Sequence, residues 1–282
     1  MPSSPSSSAQ AGREAVAARL KEMRLDAGLT GLDLATRCGW HKAKSSRIEN
    51  AKTPPSDADI RTWCHACGTE DQVADLIAAS RTAESMYVEW RRKQRTGLRR
   101  LQESYIPLYE RTRLFRVYSS DVVPGFLQTP GYATALLSSI TEFRGIPNDV
   151  AAAVEARMAR SHVIRDGDRC FVLLVEESVL RYRIGDHATM ASQLGHLLSV
   201  MSLPSVSFGV IPFTTARRMW PLEACYIYDD RIVQVELLAA DVTVRAPSEV
   251  GMYLKAFTEL QQLAVYGAKA RALITSAIDA LG

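Results

Sequence analysis

The feature that most constrains the fold is a stretch near the N-terminus, LTGLDLATRCGWHKAKSSRIENAKTPP, which spans residues 29–55. Thr30 precedes a short apolar segment, and a threonine hydroxyl at such a position caps a helix by accepting a hydrogen bond from an unpaired amide. Gly39 ends that segment, and a second helical segment follows at residues 41–50. The stretch therefore predicts two short helices joined by a tight turn.

The second predicted helix is rich in cations and hydroxyls, and Ile48 is the only strongly apolar residue in it. A helix with so little to bury lies on a surface, and a cationic surface suits an anionic partner. The N-terminal residues of a recognition helix meet base edges in the major groove, where the helix dipole also favours phosphate. The residues that we predict to contact bases are Lys42, Ala43, Lys44, Ser46 and Arg47.

This pattern resembles the helix-turn-helix of the phage-repressor-like regulators, also called the xenobiotic-response-element (XRE) family. The residues that carry the resemblance are LT at 29–30, LA at 34–35, Gly39 and SRIEN at 46–50. It covers about residues 13–80. The resemblance implies that Lys42, Ala43, Ser46 and Arg47 face bases. It also implies that phosphates are held by Thr30, Asn50 and Lys52.

Three residues depart from the family pattern. Gly31 stands where the family usually has glutamine, Ser45 where it has a core valine or isoleucine, and Ala51 where it has glycine. Trp40 and Asn50, which tolerates left-handed backbone, are expected to compensate. The departures keep an alternative open: a protein-interaction module, antitoxin-like or a scaffold, whose helix-turn-helix is vestigial.

The charge distribution separates the two halves of the chain. Residues 1–100 hold 17 Lys and Arg against 12 Asp and Glu, whereas residues 101–282 hold 17 against 19. A basic front is expected when only the front meets double-stranded DNA. A homodimer is also expected, because one such domain buries little surface and two half-sites supply affinity.

Cysteine usage and hydropathy bear on localisation. The five cysteines are scattered, which favours a reducing cytosol over a disulfide scaffold. Residues 188–216 carry no charge, but Pro204 and Pro212 break this run, so we expect no membrane span. The expected localisation is cytoplasmic and nucleoid-associated.

Cys64 and Cys67 form a CxxC pair that invites comparison with a metal or redox motif. No second cysteine or histidine pair follows at zinc-ligand spacing, and both sulfurs fall on the apolar face of a predicted helix with Ile60 and Trp63. We interpret them as core cysteines. No metal and no cofactor are expected.

The chain is expected to divide into four segments: a disordered tail at 1–12, the helix-turn-helix domain at 13–80, a basic helical linker at 81–105 and a C-terminal domain at 106–282. Helix is expected to continue through Tyr87 and Trp90. Residues 91–100 contain six cations and no acid. They either extend the DNA footprint or form a solvated connector, and both interpretations stay open.

Periodicity predicts a mixed α/β C-terminal domain. Apolar runs at 170–175 and 206–211 flank a helical segment at 186–201, which indicates parallel strands joined by a right-handed crossover. Segments 222–228 and 232–237 flank Asp229 and Asp230 and predict a hairpin added to that sheet. The expected fold class is α+β: an all-α five-helix N-terminal domain, then a small mixed sheet surrounded by helices.

The C-terminal half resembles the corresponding domain of WhiJ-like actinobacterial regulators. The matching residues are Phe115, VPGFLQTPGYA at 123–133, EESVLRYRIG at 176–185, QL at 193–194 and VIPF at 210–213. The resemblance implies a transcription factor of developmental or antibiotic control, often paired with a small partner protein encoded beside it. The family's glycine- and histidine-containing loop is replaced here by TTARRMWP at 214–221.

Catalytic candidates are few. Charged residues cluster after the first apolar run, where α/β folds place sites, but a salt-bridged turn is our preferred interpretation. No G-x-S-x-G motif or phosphate-binding glycine loop occurs. We expect no enzyme; a ligand-processing activity would depend on Glu177 or Arg181. The residues expected to contact a ligand or partner are Glu177, Arg181, Arg217 and Trp220.

Together these observations predict a sequence-specific DNA-binding transcriptional regulator. Its C-terminal domain is expected to bind a small partner protein or ligand that controls DNA binding.

Overall fold

The computed structural model describes residues 7–82, 87–89, 93–238 and 240–282. The chain forms two compact units, Met1–Tyr87 with Val242–Gly251, and Val88–Asp241 with Met252–Gly282. Residues 7–82 of the first unit form helices and turns, and the second unit contains most of a mixed sheet together with helices, which confirms the predicted α+β class. The assignment of residues 242–251 to the first unit had no counterpart in the sequence patterns.

Five α-helices joined by short turns lie within residues 7–82 of the first unit, all of which the structure describes. Their bounds are α1 Ser7–Asp26, α2 Gly31–Arg37, α3 Lys42–Glu49, α4 Asp57–Cys67 and α5 Val73–Thr82. Helix α1 begins at Ser7 within the predicted tail, where Ala9, Gln10 and Ala11 are residue types of favourable helix propensity. Residues 1–6 of that tail lie outside the described residues.

The core of this unit follows the predicted helical faces. Val16, Leu20 and Met23 of α1 are each at most 5% exposed. Trp63 of α4 is fully buried, and its indole Nε1 donates to the backbone oxygen of Leu20 at 3.0 Å. Burial of a ring this large, with its polar atom satisfied, locks α4 against α1.

The second unit contains most of the remaining elements. Their bounds are β1 Tyr87–Glu89, α6 Arg99–Ser104, α7 Ile106–Arg111, β2 Leu114–Ser119, α8 Pro130–Arg144, α9 Val150–Ser161, β3 Cys170–Glu176, α10 Glu177–Arg181, α11 His187–Val200, β4 Val206–Ile211, β5 Cys225–Tyr228, β6 Ile232–Glu236, β7 Ala240–Val244, α12 Pro247–Leu263 and α13 Gly267–Asp279. Short 3₁₀ turns occupy Gly125–Leu127 and His162–Arg165.

Strands β2 to β7 form a mixed sheet in the order β7-β6-β5-β2-β3-β4, with β1 beside β7. The predicted parallel pairing of β3 with β4 is confirmed, and so is the antiparallel β5–β6 hairpin. The hairpin joins the sheet through β2, a strand that the sequence did not indicate. Phe115 of β2 stacks on Phe171 of β3 with ring centroids 4.5 Å apart.

Two local expectations differ from the structure. Tyr87–Glu89 forms a strand, so the helix expected to continue through Tyr87 does not reach that residue; α5 is described over Val73–Thr82. Trp90, Arg91 and Arg92 lie outside the described residues. Among the described helices, none combines the length and apolarity needed to cross a bilayer.

Candidate nucleic-acid interface

The turn between α2 and α3 is built from local hydrogen bonds. Thr30 and Asp33 form a reciprocal capping box, in which the Thr30 hydroxyl accepts from the Asp33 amide at 3.2 Å and the Thr30 amide donates to the carboxylate. Hydrogen bonds from Thr30 hold the pKa of Asp33 below its ordinary value. Gly39 has φ +67°, which favours glycine because it has no Cβ. His41 then caps α3 by accepting from the Ala43 amide.

Helix α3 is held in place by its inner face. Ile48 and Ser45 are 2% and 1% exposed. The Ser45 hydroxyl donates to the backbone oxygen of Lys42 at 3.0 Å, so this polar side chain is satisfied at a core position. At the C-terminal end of α3, Glu49 accepts from Arg24 of α1 at 2.5 Å. These contacts orient the helix as a rigid element.

The outer face of α3 carries four of the five predicted base-contacting residues. Lys42, Ala43, Ser46 and Arg47 are all exposed. Within the described part of the chain, neither Lys42 nor Arg47 forms an ion pair. The structure thus brings these four side chains together on one solvent-facing surface with two uncompensated cations.

Lys44 does not share that surface. Its ammonium binds Asp59 of α4 at 2.5 Å and lies 4.3 Å from the centroid of the Trp40 ring. Hydrogen bonds from Lys44 and Ser56 oppose the effect of burial and lower the pKa of Asp59. The structure therefore gives Lys44 an intramolecular role that differs from the predicted base contact, because Asp59 and Trp40 attract its charge toward α4.

The predicted phosphate-contacting residues lie on either side of α2 and α3. Thr30 and Lys52 are exposed, and the Asn50 amide nitrogen donates to the Ser46 backbone oxygen at 2.7 Å. Asn50 was expected to compensate by taking a left-handed backbone conformation, but its φ is −99°. Ala51 has φ +53° instead, so the alanine itself adopts the conformation for which the family uses glycine.

The predicted ligand or partner residues of the C-terminal domain fall into separate groups. Glu177 is buried, and its carboxylate accepts from Arg181 at 2.9 and 3.0 Å and from the Phe213 amide at 3.0 Å. Arg217 binds the buried carboxylate of Glu176. Trp220 is 68% exposed. The Arg217–Glu176 pair ties the end of β3 to the loop after β4, whereas the Glu177–Arg181 pair lies within α10. Arg181 and Arg217 are engaged in these pairs, and Trp220 is the most exposed of the four side chains.

The VPGFLQTP motif is organised by buried amides. Phe126 and Leu127 are inside the core. Gln193 accepts from the Thr129 amide at 2.7 Å and donates to the Leu127 backbone oxygen at 2.8 Å. Gln128 donates to the Val123 backbone oxygen. The motif therefore fixes the loop between β2 and α8.

Cys64 and Cys67 lie in the helical core or at its edge, as interpreted. Burial raises the pKa of both thiols, and that of Cys67 to about 11, so they are protonated at neutral pH. In the ranges that the structure describes, no group of three or more His, Cys, Asp or Glu residues could hold a metal ion.

Comparisons with known proteins divide the chain in the same place as its composition does. Residues 15–77 match a family described as a helix-turn-helix domain. Residues 102–276 match a family described as a domain of unknown function, DUF5753. No curated protein matches the chain significantly.

A solved structure that aligns with the chain is TrmBL2, described as an archaeal chromatin protein with a novel mode of DNA binding. The identity is 12%, the TM-score is 0.34, and the alignment covers 85% of this chain and 88% of that one. The two family matches together give the helix-turn-helix architecture of a transcription regulator, and the longer of them spans more than half of the chain. The chain belongs to the DUF5753 family and carries a helix-turn-helix domain in front of the domain that defines it.

Proposed function

We propose that this chain is a sequence-specific DNA-binding transcription regulator of the XRE and WhiJ-like type, and that its C-terminal domain binds a small partner protein or ligand that controls DNA binding. The observation that carries the proposal is the contrast between the two faces of α3. The inner face is held by Ile48 and by the Arg24–Glu49 pair, whereas Lys42 and Arg47 project outward without ion pairs among the described residues.

This arrangement suits a phosphate-lined groove. Arginine can bind guanine O6 and N7 with two parallel hydrogen bonds, and each lysine that neutralises a phosphate adds affinity and salt dependence. Thr30 and Lys52 flank the same two helices and are the proposed backbone contacts. The chain is proposed to act as a homodimer in the cytoplasm, associated with the nucleoid, and to have no enzymatic activity.

The test uses the purified full-length chain to recover fragments from genomic DNA, followed by footprinting at moderate salt. We expect protection of a defined palindrome, since a dimer reads two half-sites. Replacing Arg47 with alanine should cost about 1–3 kcal/mol on that site and much less on random DNA. Arg61→Ala is the matched control, because Arg61 is also exposed but lies on α4.

Three outcomes would change parts of the proposal. Binding that is only a salt-sensitive smear favours the alternative, an interaction module with a vestigial helix-turn-helix. Gly31, Ser45 and the left-handed Ala51 are the features that favour this alternative. Equal losses for Arg47→Ala on specific and random DNA would assign Arg47 to a phosphate. A turnover activity abolished by Glu177→Gln would contradict the non-enzymatic assignment.

A further inference from the structure

A cavity of about 180 Å³ lies wholly within the second unit, between the sheet and helices α7, α8 and α9. Its floor comes from β5, β6 and β7, and its walls include the loop that follows β2. A cavity of about 150 Å³ is enough to hold benzene in other proteins, so this one accommodates a single substituted ring. Most of the side chains that line this cavity are polar or charged.

The floor of the cavity is polar where a helix-covered sheet is ordinarily apolar. Tyr226 of β5 pairs with Gln234 of β6. Tyr228 and Glu236, each two residues further along its own strand, line the cavity from the same face of the sheet. The opposite face of these strands carries Ile227, Val233 and Val235, all buried. Polar side chains that face the interior need hydrogen-bond partners there, because an unpaired buried polar group is unfavourable.

Opposite the floor lie two guanidinium groups, one turn apart on α9. Arg157 is 9% exposed and donates to Gln102 and Gln128, which are neutral. Arg160 donates to Gln102 at 2.8 Å and to the Tyr109 hydroxyl at 3.0 Å. In the described part of the chain neither arginine forms an ion pair, and the buried Arg160 Nε has no hydrogen-bond partner.

Both guanidinium groups keep N–H donors that no described residue uses. Each has five N–H donors, and the contacts above use two of the five in each case. Burial, together with the neighbouring Arg160, lowers the pKa of Arg157 to about 10. The Arg160 guanidinium also lies 5.0 and 5.1 Å from the ring centroids of Tyr105 and Tyr109. The N–H donors that remain unused suit the carboxylate of a ligand.

The acidic groups of the cavity lie on the strands. Asp241 is 1% exposed; one of its oxygens binds Lys93, and the other has no partner among the described residues. Glu236 keeps solvent-exposed surface and lines the cavity, and it forms no ion pair with a described residue. The cavity thus places unused donors on one wall and unused acceptors on the other.

From this geometry we infer that the cavity is a binding site for a small aromatic carboxylic acid that bears a hydrogen-bond donor at its far end. The carboxylate takes unused N–H groups of Arg157 and Arg160, and the donor reaches Glu236. The ring packs against the tyrosines of the lining: Tyr105, Tyr109, Tyr226 and Tyr228. The claim that this cavity controls DNA binding rests on the proposed function. The claim that it binds the acid does not.

Isothermal titration calorimetry on the full chain tests the inference with three probes. 4-Hydroxybenzoate has both ends, benzoate lacks the donor, and 4-hydroxybenzamide lacks the negative charge. We expect 4-hydroxybenzoate to bind with one site per chain, and to bind at least about tenfold more tightly than the amide, because a charge-assisted pair with arginine is lost in the amide. Absence of saturable binding by 4-hydroxybenzoate, or equal binding of acid and amide, overturns the inference.

Variants locate the site. Arg157→Gln should weaken 4-hydroxybenzoate binding about tenfold or more, and Glu236→Gln should remove most of its advantage over benzoate. Arg113→Gln and Glu142→Gln are the matched controls, since both residues are exposed in the same domain and line no part of the cavity. Unchanged binding in both cavity variants overturns the inference; should Arg157→Gln fail to fold, the comparison of acid with amide on the unmodified chain still decides it.

A separate measurement keeps the two proposals distinct. DNA binding is measured with and without saturating 4-hydroxybenzoate. Ligand binding that leaves DNA affinity unchanged supports the cavity assignment and contradicts ligand control of DNA binding. A change in DNA affinity that disappears in Arg157→Gln supports both.

Discussion

Arg24 of α1 and Glu49 of α3 form a hydrogen-bonded ion pair, with Nε and Oε1 2.5 Å apart and both side chains at most 13% exposed. Arg24 also donates to the Leu29 backbone oxygen at 2.6 Å, just ahead of the helix-turn-helix. One guanidinium group therefore fixes the end of α3 and the start of the motif. The pair thereby helps to orient α3 relative to α1.

Removing one partner of this pair should be costly. Glu49→Ala leaves the Arg24 charge buried without its carboxylate, so we expect a loss of about 2–4 kcal/mol in the free energy of unfolding by urea. Glu22→Ala is the control, because the Arg19–Glu22 pair is exposed and should contribute less than about 1 kcal/mol. Similar losses in the two variants would show that the Arg24–Glu49 pair is no more than a surface interaction.

Ala51 offers a stabilising substitution. Its φ of +53° costs an L-residue about 1–2 kcal/mol, and glycine relieves this cost while gaining freedom in the unfolded chain. We expect Ala51→Gly to raise the free energy of unfolding by about 0.5–1 kcal/mol. Ala43→Gly, inside α3, should lower it by a similar amount. A loss of stability in Ala51→Gly would contradict the left-handed assignment.

Lys42 and Lys44 should respond differently to alanine substitution. Lys42→Ala should leave stability unchanged and reduce the slope of log K against log salt for DNA binding by about 1. Lys44→Ala should cost about 0.5–1 kcal/mol of stability, because its partly exposed contacts with Asp59 and Trp40 are lost. The measurements are salt-dependent DNA titrations and urea unfolding. An unchanged salt slope in Lys42→Ala would remove Lys42 from the interface.

Gln193 should contribute more to stability than its neutral character suggests. Gln193→Met keeps the shape but leaves the Thr129 amide and the Leu127 carbonyl without their partner. We expect a loss of about 2–4 kcal/mol in urea unfolding. Gln262→Met, at an exposed position of α12, should change stability by less than about 0.5 kcal/mol. A small effect at Gln193 would mean that water replaces its hydrogen bonds.

Glu236 should make the unliganded protein less stable as the pH rises. Desolvation by the surrounding protein raises the pKa of the Glu236 carboxyl above its ordinary value of 4.5, with Arg157 opposing the shift and Asp241 and Asp121 reinforcing it. The folded state therefore holds this proton more tightly than the unfolded state, and stability is lost as the pH rises through the folded-state pKa. Glu236→Gln should raise the melting temperature at pH 7, and the gain should vanish as the pH falls toward 4.5. A constant gain across this range would exclude ionisation as its cause.

Much of the helix-turn-helix was predictable from local chemistry. Caps at Thr30 and Ser56, the stop at Gly39, and the buried positions of Leu34 and Ile48 depend on residues within one or two turns. Hydrophobic periodicity also predicted β3, β4 and the β5–β6 hairpin. Strand β2 was missed, although Phe115 and Val117 alternate with Arg116 there, because the alternation is short and follows two short helices.

The amino-acid sequence by itself determined the helix-turn-helix, strands β3 to β6, the difference in charge between the two halves of the chain and the cationic face of α3, since each follows from neighbours along the chain. Only the tertiary structure decided that Lys44 turns to Asp59 while Lys42 and Arg47 stay exposed. It also decided that Arg157, Arg160 and Glu236, separated by up to 79 residues in sequence, line one cavity. The physical reason is that ion pairing and burial depend on distance in space, which the spacing of residues along a chain does not specify.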